Sequence, residues 1–131
     1  MIVVDTNVIT YFYINSELSD FAEKLFQKEP NWIVPILWRS EFRNVLAFYI
    51  KRDVISLNDG IQIFELAESL FNENEYEVNS AQVLNLAHES GCSAYDCEFV
   101  SLSKNLSVPL VTMDKKVLKS FPKTTISLRD Y

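Results

Sequence analysis

The 131-residue chain has little of what usually punctuates or staples a protein: 2 glycines, 4 prolines, 2 cysteines and a single histidine, His88. So few chain breakers exclude collagen-like, low-complexity and long-linker organisation. Cys92 and Cys97 form an isolated C-x4-C, and with one imidazole this supports neither a disulfide framework nor a structural zinc site. Two reduced, buried thiols are the expectation. No apolar run approaches the roughly 18 residues of a membrane span, and the amino terminus lacks the basic start and cleavage site of a signal peptide. A cytoplasmic protein with no membrane partner is expected. Positive charge is scarce too. A formal charge of −6 argues against holding nucleic acid by a general basic surface, because such affinity comes from neutralised phosphates. A local basic patch stays open, as do acids that serve a metal.

What the chain does have is a hydrophobic content of 48%, enough at this length for one substantial core, so residues 1–131 are expected to form a single domain. Ile2 to Val4 reads as a buried strand, and Val8 to Ile14 as a helix capped by Asp5 or Thr6. Residues 17–29 place Leu18, Phe21, Ala22, Leu25 and Phe26 at helical spacing, and "NWIVP" gives a second strand ending near Pro35. Pro35 suits the first turn of a long helix to about Arg52, and Ser56 begins another to about Asn74. "YEVN" at 76–79 is the expected third strand, followed by a helix from Ser80 to Glu89 that Gly91 ends. Ser93 starts the next helix, with Asp96 completing a capping box. Val108 to Thr112 is a strand, Asp114 to Phe121 a short helix and "TTISL" a last strand. This alternation predicts an α/β fold, a three-layer α/β/α sandwich around a central, mostly parallel, twisted sheet of four to five strands.

In such a sheet, ligands sit outside the carboxyl ends of the strands. Asp5 ends the first strand and Asp114 follows the strand at 108–112. Asp96 lies in the first turn of its helix, and Glu41 in the second turn of the helix beginning at Pro35. Each acid also has an ordinary explanation, as an N-cap or as a favourable charge on a helix dipole. Glu41 is the hardest to explain so, because it falls on the line Leu37, Glu41, Val45, Phe48, read as a core-facing stripe, while Arg39 and Arg43 point to another face. A carboxylate there wants a partner. Carboxylates that converge raise one another's cost of ionising and either take up protons or bind a cation. All-oxygen donors favour Mg²⁺ or Mn²⁺, as one or two ions, and such ions serve phosphate chemistry by activating water and stabilising a leaving oxygen.

Four segments in order, "VVDTNV", "PILWRSEFRNVL", "SAYDCEFVSLSKN" and "PLVTMDKKV", resemble the motifs of PIN domains, and among them the VapC-type toxins of bacterial and archaeal toxin–antitoxin pairs. The resemblance covers nearly the whole chain. It implies that Asp5, Glu41, Asp96 and Asp114 are the acidic quartet that binds divalent metal and carries catalysis, with Thr112 and Asn7 as supporting groups. It further implies metal-dependent endonucleolytic cleavage of RNA that leaves a 5′-phosphate and a 3′-hydroxyl, a homodimer, and a small antitoxin that blocks the acidic mouth. Cys97 stands where the family often has alanine, a small-for-small change.

Rival readings fit less well. A haloacid dehalogenase phosphatase needs a second aspartate where Asn7 stands, and a receiver domain needs paired acids after its first strand. No G-x-S-x-G elbow exists for a serine hydrolase, and His88 alone makes a poor case for a histidine nuclease. A non-toxin PIN nuclease of RNA processing or decay, and a catalytically silent binding module, remain the alternatives. The aromatic run Tyr11, Phe12 and Tyr13 and the helix bearing Trp38, Phe42, Phe48 and Tyr49 are read mainly as core, with a surface for an antitoxin or second subunit as the competing reading. Arg39 and Arg43, with Lys51 and Arg52, are candidate contacts for RNA phosphates or antitoxin acids, against the commoner case of a solvated basic face.

Overall fold

The computed structural model describes residues 1–131. Its elements in chain order are β1 (Ile2–Val4), α1 (Thr6–Tyr13), α2 (Ser19–Lys28), β2 (Trp32–Pro35), α3 (Trp38–Lys51), α4 (Leu57–Leu70), β3 (Glu75–Tyr76), α5 (Ser80–Ser90), α6 (Ala94–Leu106), β4 (Leu110–Thr112), α7 (Lys115–Ser120) and β5 (Thr125–Ser127). The strands β1, β2 and β4 are buried at every residue, as strands covered on both faces must be. They form one five-stranded sheet in the order β3-β2-β1-β4-β5, and every pairing is parallel. Val3 of β1 faces Ile33 of β2 on one side and Leu110 of β4 on the other. The chain therefore walks outward from β1 to β3, then returns past β1 to β4. The seam between β1 and β4 is where the connections diverge, and a crevice opens at its carboxyl end. Right-handed crossovers put α1 to α4 on one face and α5 to α7 on the other; α1 packs on α2 and α3, and α6 lies against α5, β1, β2 and β4.

Local chemistry sets the helix ends. The Ser56, Asn79 and Ser93 side chains accept from the amides of Asp59, Gln82 and Asp96 at 3.0, 2.9 and 3.1 Å, each satisfying an otherwise orphaned donor. Gly91 closes α5 with φ of 74°, a left-handed conformation that glycine adopts without strain. Twenty-seven buried residues form one core cluster. In it Trp38 stacks on Phe64 with centroids 5.4 Å apart and touches Phe71 at 4.9 Å, while Trp32 gathers Phe12 and Phe26 at 5.1 and 5.2 Å. Cys92 and Cys97 are free and buried, as expected, and no helix is long and apolar enough to cross a membrane.

Four boundaries differ from expectation. Pro35 ends β2 instead of opening α3, which starts at Trp38. The amides of Val34 and Ile36 bond across to Asn74 and Tyr76, so the intervening residue faces the β1 side beyond the last pairing, where a missing N–H costs nothing. The third strand is Glu75–Tyr76 and not 76–79, and α4 stops at Leu70, because Asn74 is drawn to the sheet with its amide side chain donating to the Trp32 carbonyl at 2.9 Å. Finally, β4 begins at Leu110, since Val108 is held in a turn by Ser103 at 3.1 Å.

Candidate active site

The adjacency of β1 and β4 brings Asp5 and Asp114 to one sheet edge. Asp5 extends the strand by donating its amide to the Val111 carbonyl at 3.0 Å and at the same time caps α1, its Oδ1 accepting from the Thr6 amide at 2.8 Å. Its Oδ2 accepts from the Thr112 hydroxyl at 2.7 Å. That hydroxyl is a hub: it also accepts from the Asp114 amide at 3.0 Å and from Asn7 Nδ2 at 3.3 Å. Asn7 Oδ1 in turn accepts from the Met113 amide at 3.3 Å. Thr112 and Asn7 thus tie the start of α1 to the end of β4. Asp114 caps α7 with Oδ1 alone, accepting from Lys116 and Val117, and its Oδ2 has no such duty.

The other two acids arrive on helices. Glu41 lies in the first turn of α3 and Asp96 in the first turn of α6, on opposite faces of the sheet. Glu41 finds its partner in Thr6, whose hydroxyl donates to Oε1 at 2.7 Å. The stripe Leu37, Glu41, Val45, Phe48 faces the core only in part: Leu37 and Val45 pack partly buried against it, whereas Phe48 is exposed. The core-facing residues of α3 are Trp38, Phe42 and Leu46, one position round the helix, and Glu41, Val45 and Phe48 line a cleft of about 480 Å³ that also takes in Asp5, Asp96 and Asp114. The four acids that sequence singled out therefore share one mouth, with Thr6 and Asn7 beside them and Thr112 buried beneath.

No lysine or arginine lines this cleft, and the pKa values of Asp5, Glu41 and Asp96 are raised. Asp5 is pushed up from 3.8 to about 7, chiefly by burial, with its bonds to Thr112 and Thr6 opposing and Glu41 and Asp96 adding to the rise. Burial also raises Glu41, with Asp96 and Glu98 adding to it, and raises Asp96, where Asp114 adds and the Lys116 ammonium offsets part. Hard oxygen donors whose negative charge is unbalanced from within fit a hard divalent cation in kind. They are not gathered in advance, for no three acid, histidine or cysteine side chains stand in ligating arrangement. Glu41 and Asp96 are only partly buried.

The basic candidates lie elsewhere. Arg39 clamps Glu75 through Nε and Nη2 at 2.6 and 2.8 Å and reaches Glu68 through Nη1 at 2.6 Å. Its guanidinium is thus engaged within the protein, where the sequence suggests an RNA or antitoxin contact. Arg43 is exposed and sits over the Phe64 ring, 5.0 Å from its centroid. His88 is an exposed helix residue. Two features escape a sequence reading. Thr6 reads only as a cap, and its pairing with Glu41 spans 35 positions. In the second wall of the cleft, Tyr11 and Tyr49 do pack partly buried against the core, whereas Phe48, also read as core, is exposed, and its spacing seven after Glu41 places the two on one helix face.

A family model for the PIN domain matches residues 2–123. The chain is 26% identical over 126 residues to ribonuclease VapC3 of Pyrobaculum aerophilum, covering 92% of this chain and 95% of that protein. Among solved structures, the crystal structure of PAE2754 from Pyrobaculum aerophilum superposes with a TM-score of 0.78 at 19% identity, covering 98% of this chain and 90% of that one. A chain of a toxin–antitoxin complex from Klebsiella pneumoniae gives 0.70 at 16% identity, with both chains covered in full.

Proposed function

This chain belongs to the PIN domain family, and from that premise we propose that it is a metal-dependent endoribonuclease acting as the toxin of a toxin–antitoxin pair. The observation that carries the reading is the meeting of Asp5, Glu41, Asp96 and Asp114 in one cleft that contains no cation of its own. Mg²⁺ or Mn²⁺, as one or two ions among these carboxylates, would supply Lewis acidity, lowering the pKa of water and offsetting charge on the phosphate. The chain's own groups do the rest. Thr112 and Thr6 hold Asp5 in a single orientation, and Asn7 and Thr112 fix the distance between the Asp5 and Asp114 backbones. Glu41 and Asp96, the two cleft acids that cap no helix, would take the proton of an attacking water. In-line attack on phosphorus then breaks the bond to the 3′-oxygen and leaves a 5′-phosphate and a 3′-hydroxyl.

The name of VapC3 supports RNA as substrate and the Klebsiella complex supports a small antitoxin as partner; a homodimer rests on the family resemblance alone. Purified Asp5→Asn and Asp96→Asn variants are expected to lose Mg²⁺-dependent cleavage of single-stranded RNA by at least about a hundred-fold while keeping a native circular dichroism spectrum. Undiminished cleavage by either variant rejects the mechanism.

A further inference from the structure

The cleft wall beyond the acids is aromatic: Tyr11 and Tyr49 pack partly buried against the core, and Phe48 does not. Phe48 lies seven residues after Glu41, two turns and roughly 10 Å along the same face of α3. It lines the cleft while leaving 49% of its surface exposed. The Tyr49 ring meets it edge-on at 5.6 Å and 90°, and the Arg52 guanidinium lies over its face 3.4 Å from the centroid. Arg52 makes no ion pair and bonds only at the limit of reach to the Phe48 carbonyl, at 3.5 Å. Arg39, on the same helix, is locked by two carboxylates. Tyr11 links the two walls, close enough to both Asp5 and Tyr49 that they add to a rise in its pKa that burial begins.

A phosphodiester at the acids meets four carboxylates and no cation, so its backbone needs positive charge from the rim, and its neighbouring base needs a surface once unstacked. Exposed aromatic rings and arginine planes are what single-stranded RNA stacks on. We propose that Phe48 and Arg52 form a nucleobase subsite of the RNA cleft, in which the base flanking the scissile phosphate stacks on the Phe48–Arg52 platform and Arg52 neutralises the adjoining backbone phosphate. The assignment rests on the nuclease reading for the identity of the ligand. The ordinary alternative is an i,i+4 arginine–phenylalanine pair that merely decorates a helix end.

Fluorescence anisotropy decides between them, using a 5′-fluorescein six-nucleotide single-stranded RNA and a set of derivatives with one abasic position each, in Ca²⁺ in place of Mg²⁺. With the wild-type protein, abasic substitution at one position is expected to weaken binding roughly ten-fold and at the others little. Phe48→Ala should bind the intact RNA roughly ten-fold more weakly and erase that position's penalty, and Phe48→Trp should restore it. Arg52→Gln should reduce the slope of log affinity against log salt by about one phosphate contact. Wild-type protein that binds every abasic RNA alike, a penalty that survives Phe48→Ala, or no binding of the RNA at all overturns the subsite. A parallel cleavage assay in Mg²⁺ keeps the two readings apart: cleavage with a flat abasic profile retires the subsite alone. A Phe48-dependent profile without cleavage retires the nuclease and supports the platform.

Discussion

Two acidic clusters in this molecule face opposite electrostatic circumstances. At Glu75 and Glu68 the chain supplies its own cation: Arg39 clamps one carboxylate and reaches the other, and Trp38 Nε1 adds a bond to Glu75 at 2.7 Å. The Arg39 bonds hold the Glu75 pKa below its ordinary value. At the cleft, Asp5, Glu41 and Asp96 lie with Asp114 and no lysine or arginine in the lining, and all three are raised. The first cluster fastens α3, α4 and β3 together and is electrostatically complete. The second spends free energy on keeping acids together without a counter-ion, as a site does when its positive charge arrives from outside.

The largest effect that tests this contrast is on the pH dependence of stability. Asp5 has a folded pKa of about 7 against an ordinary 3.8, so the folded protein binds this proton more tightly than the unfolded chain. The stability it lends is full below about pH 4 and lost as pH rises to about 7, an upper figure of ~4 kcal/mol at 1.36 kcal/mol per unit. Urea unfolding in chelator is expected to show the wild type losing stability over that window and Asp5→Asn losing far less. Added Mn²⁺ should recover the wild type at pH 7 and have little effect on it at pH 4. An identical slope in the two proteins breaks the contrast.

A smaller effect is expected at the hub beneath the cleft. Thr112→Val leaves Asp5 Oδ2 and the Asp114 amide without their partner, at about 1–3 kcal/mol, and Thr112→Ser should recover most of it. Thermal denaturation of the pair measures this, and a valine variant as stable as wild type would show the hub to be dispensable. The smallest effect belongs to the self-sufficient cluster. Arg39 and Glu68 keep 30% and 43% of their side-chain surface in solvent and Glu75 keeps 15%, so partial screening leaves Arg39→Met a cost of about 1 kcal/mol. Because the Glu75 pKa is lowered, this stability is present above its ordinary value near 4.5 and lost as pH falls through the folded value. The variant should therefore unfold less steeply in acid, with RNA cleavage retained. Loss of cleavage equal to that of Asp5→Asn would show that the clamp also positions Glu41.

Much of the site was legible because its parts carry local signatures. Asp5, Ser93 and Asp114 stand where helices must start, and the alternation of strands and helices forces parallel pairing and sends strand ends to one edge. Misreadings came where the deciding partner lies far along the chain. Periodicity marked Leu37, Glu41, Val45 and Phe48 as one face of α3 yet could not say which neighbour it met. Trp38, Phe42 and Leu46 offer a stripe one position round, and the aromatic contacts of Phe64 and Phe71 make that stripe the core. Pro35 was misplaced because helix starts and strand ends both tolerate a missing N–H.

Sequence alone determined the class of fold, the four acids of the cleft and the net negative charge, since these follow from short-range patterning, capping chemistry and composition. Only the tertiary structure decided that β1 and β4 are neighbours, that Thr6 and Thr112 are the partners of Glu41 and Asp5, that Arg39 belongs to Glu75, and that Phe48 lines the cleft with Arg52 over its ring. Each of those depends on which residues a sheet order and a helix rotation bring within a few ångströms, and a pairing across 35 or 107 positions leaves no trace in local spacing.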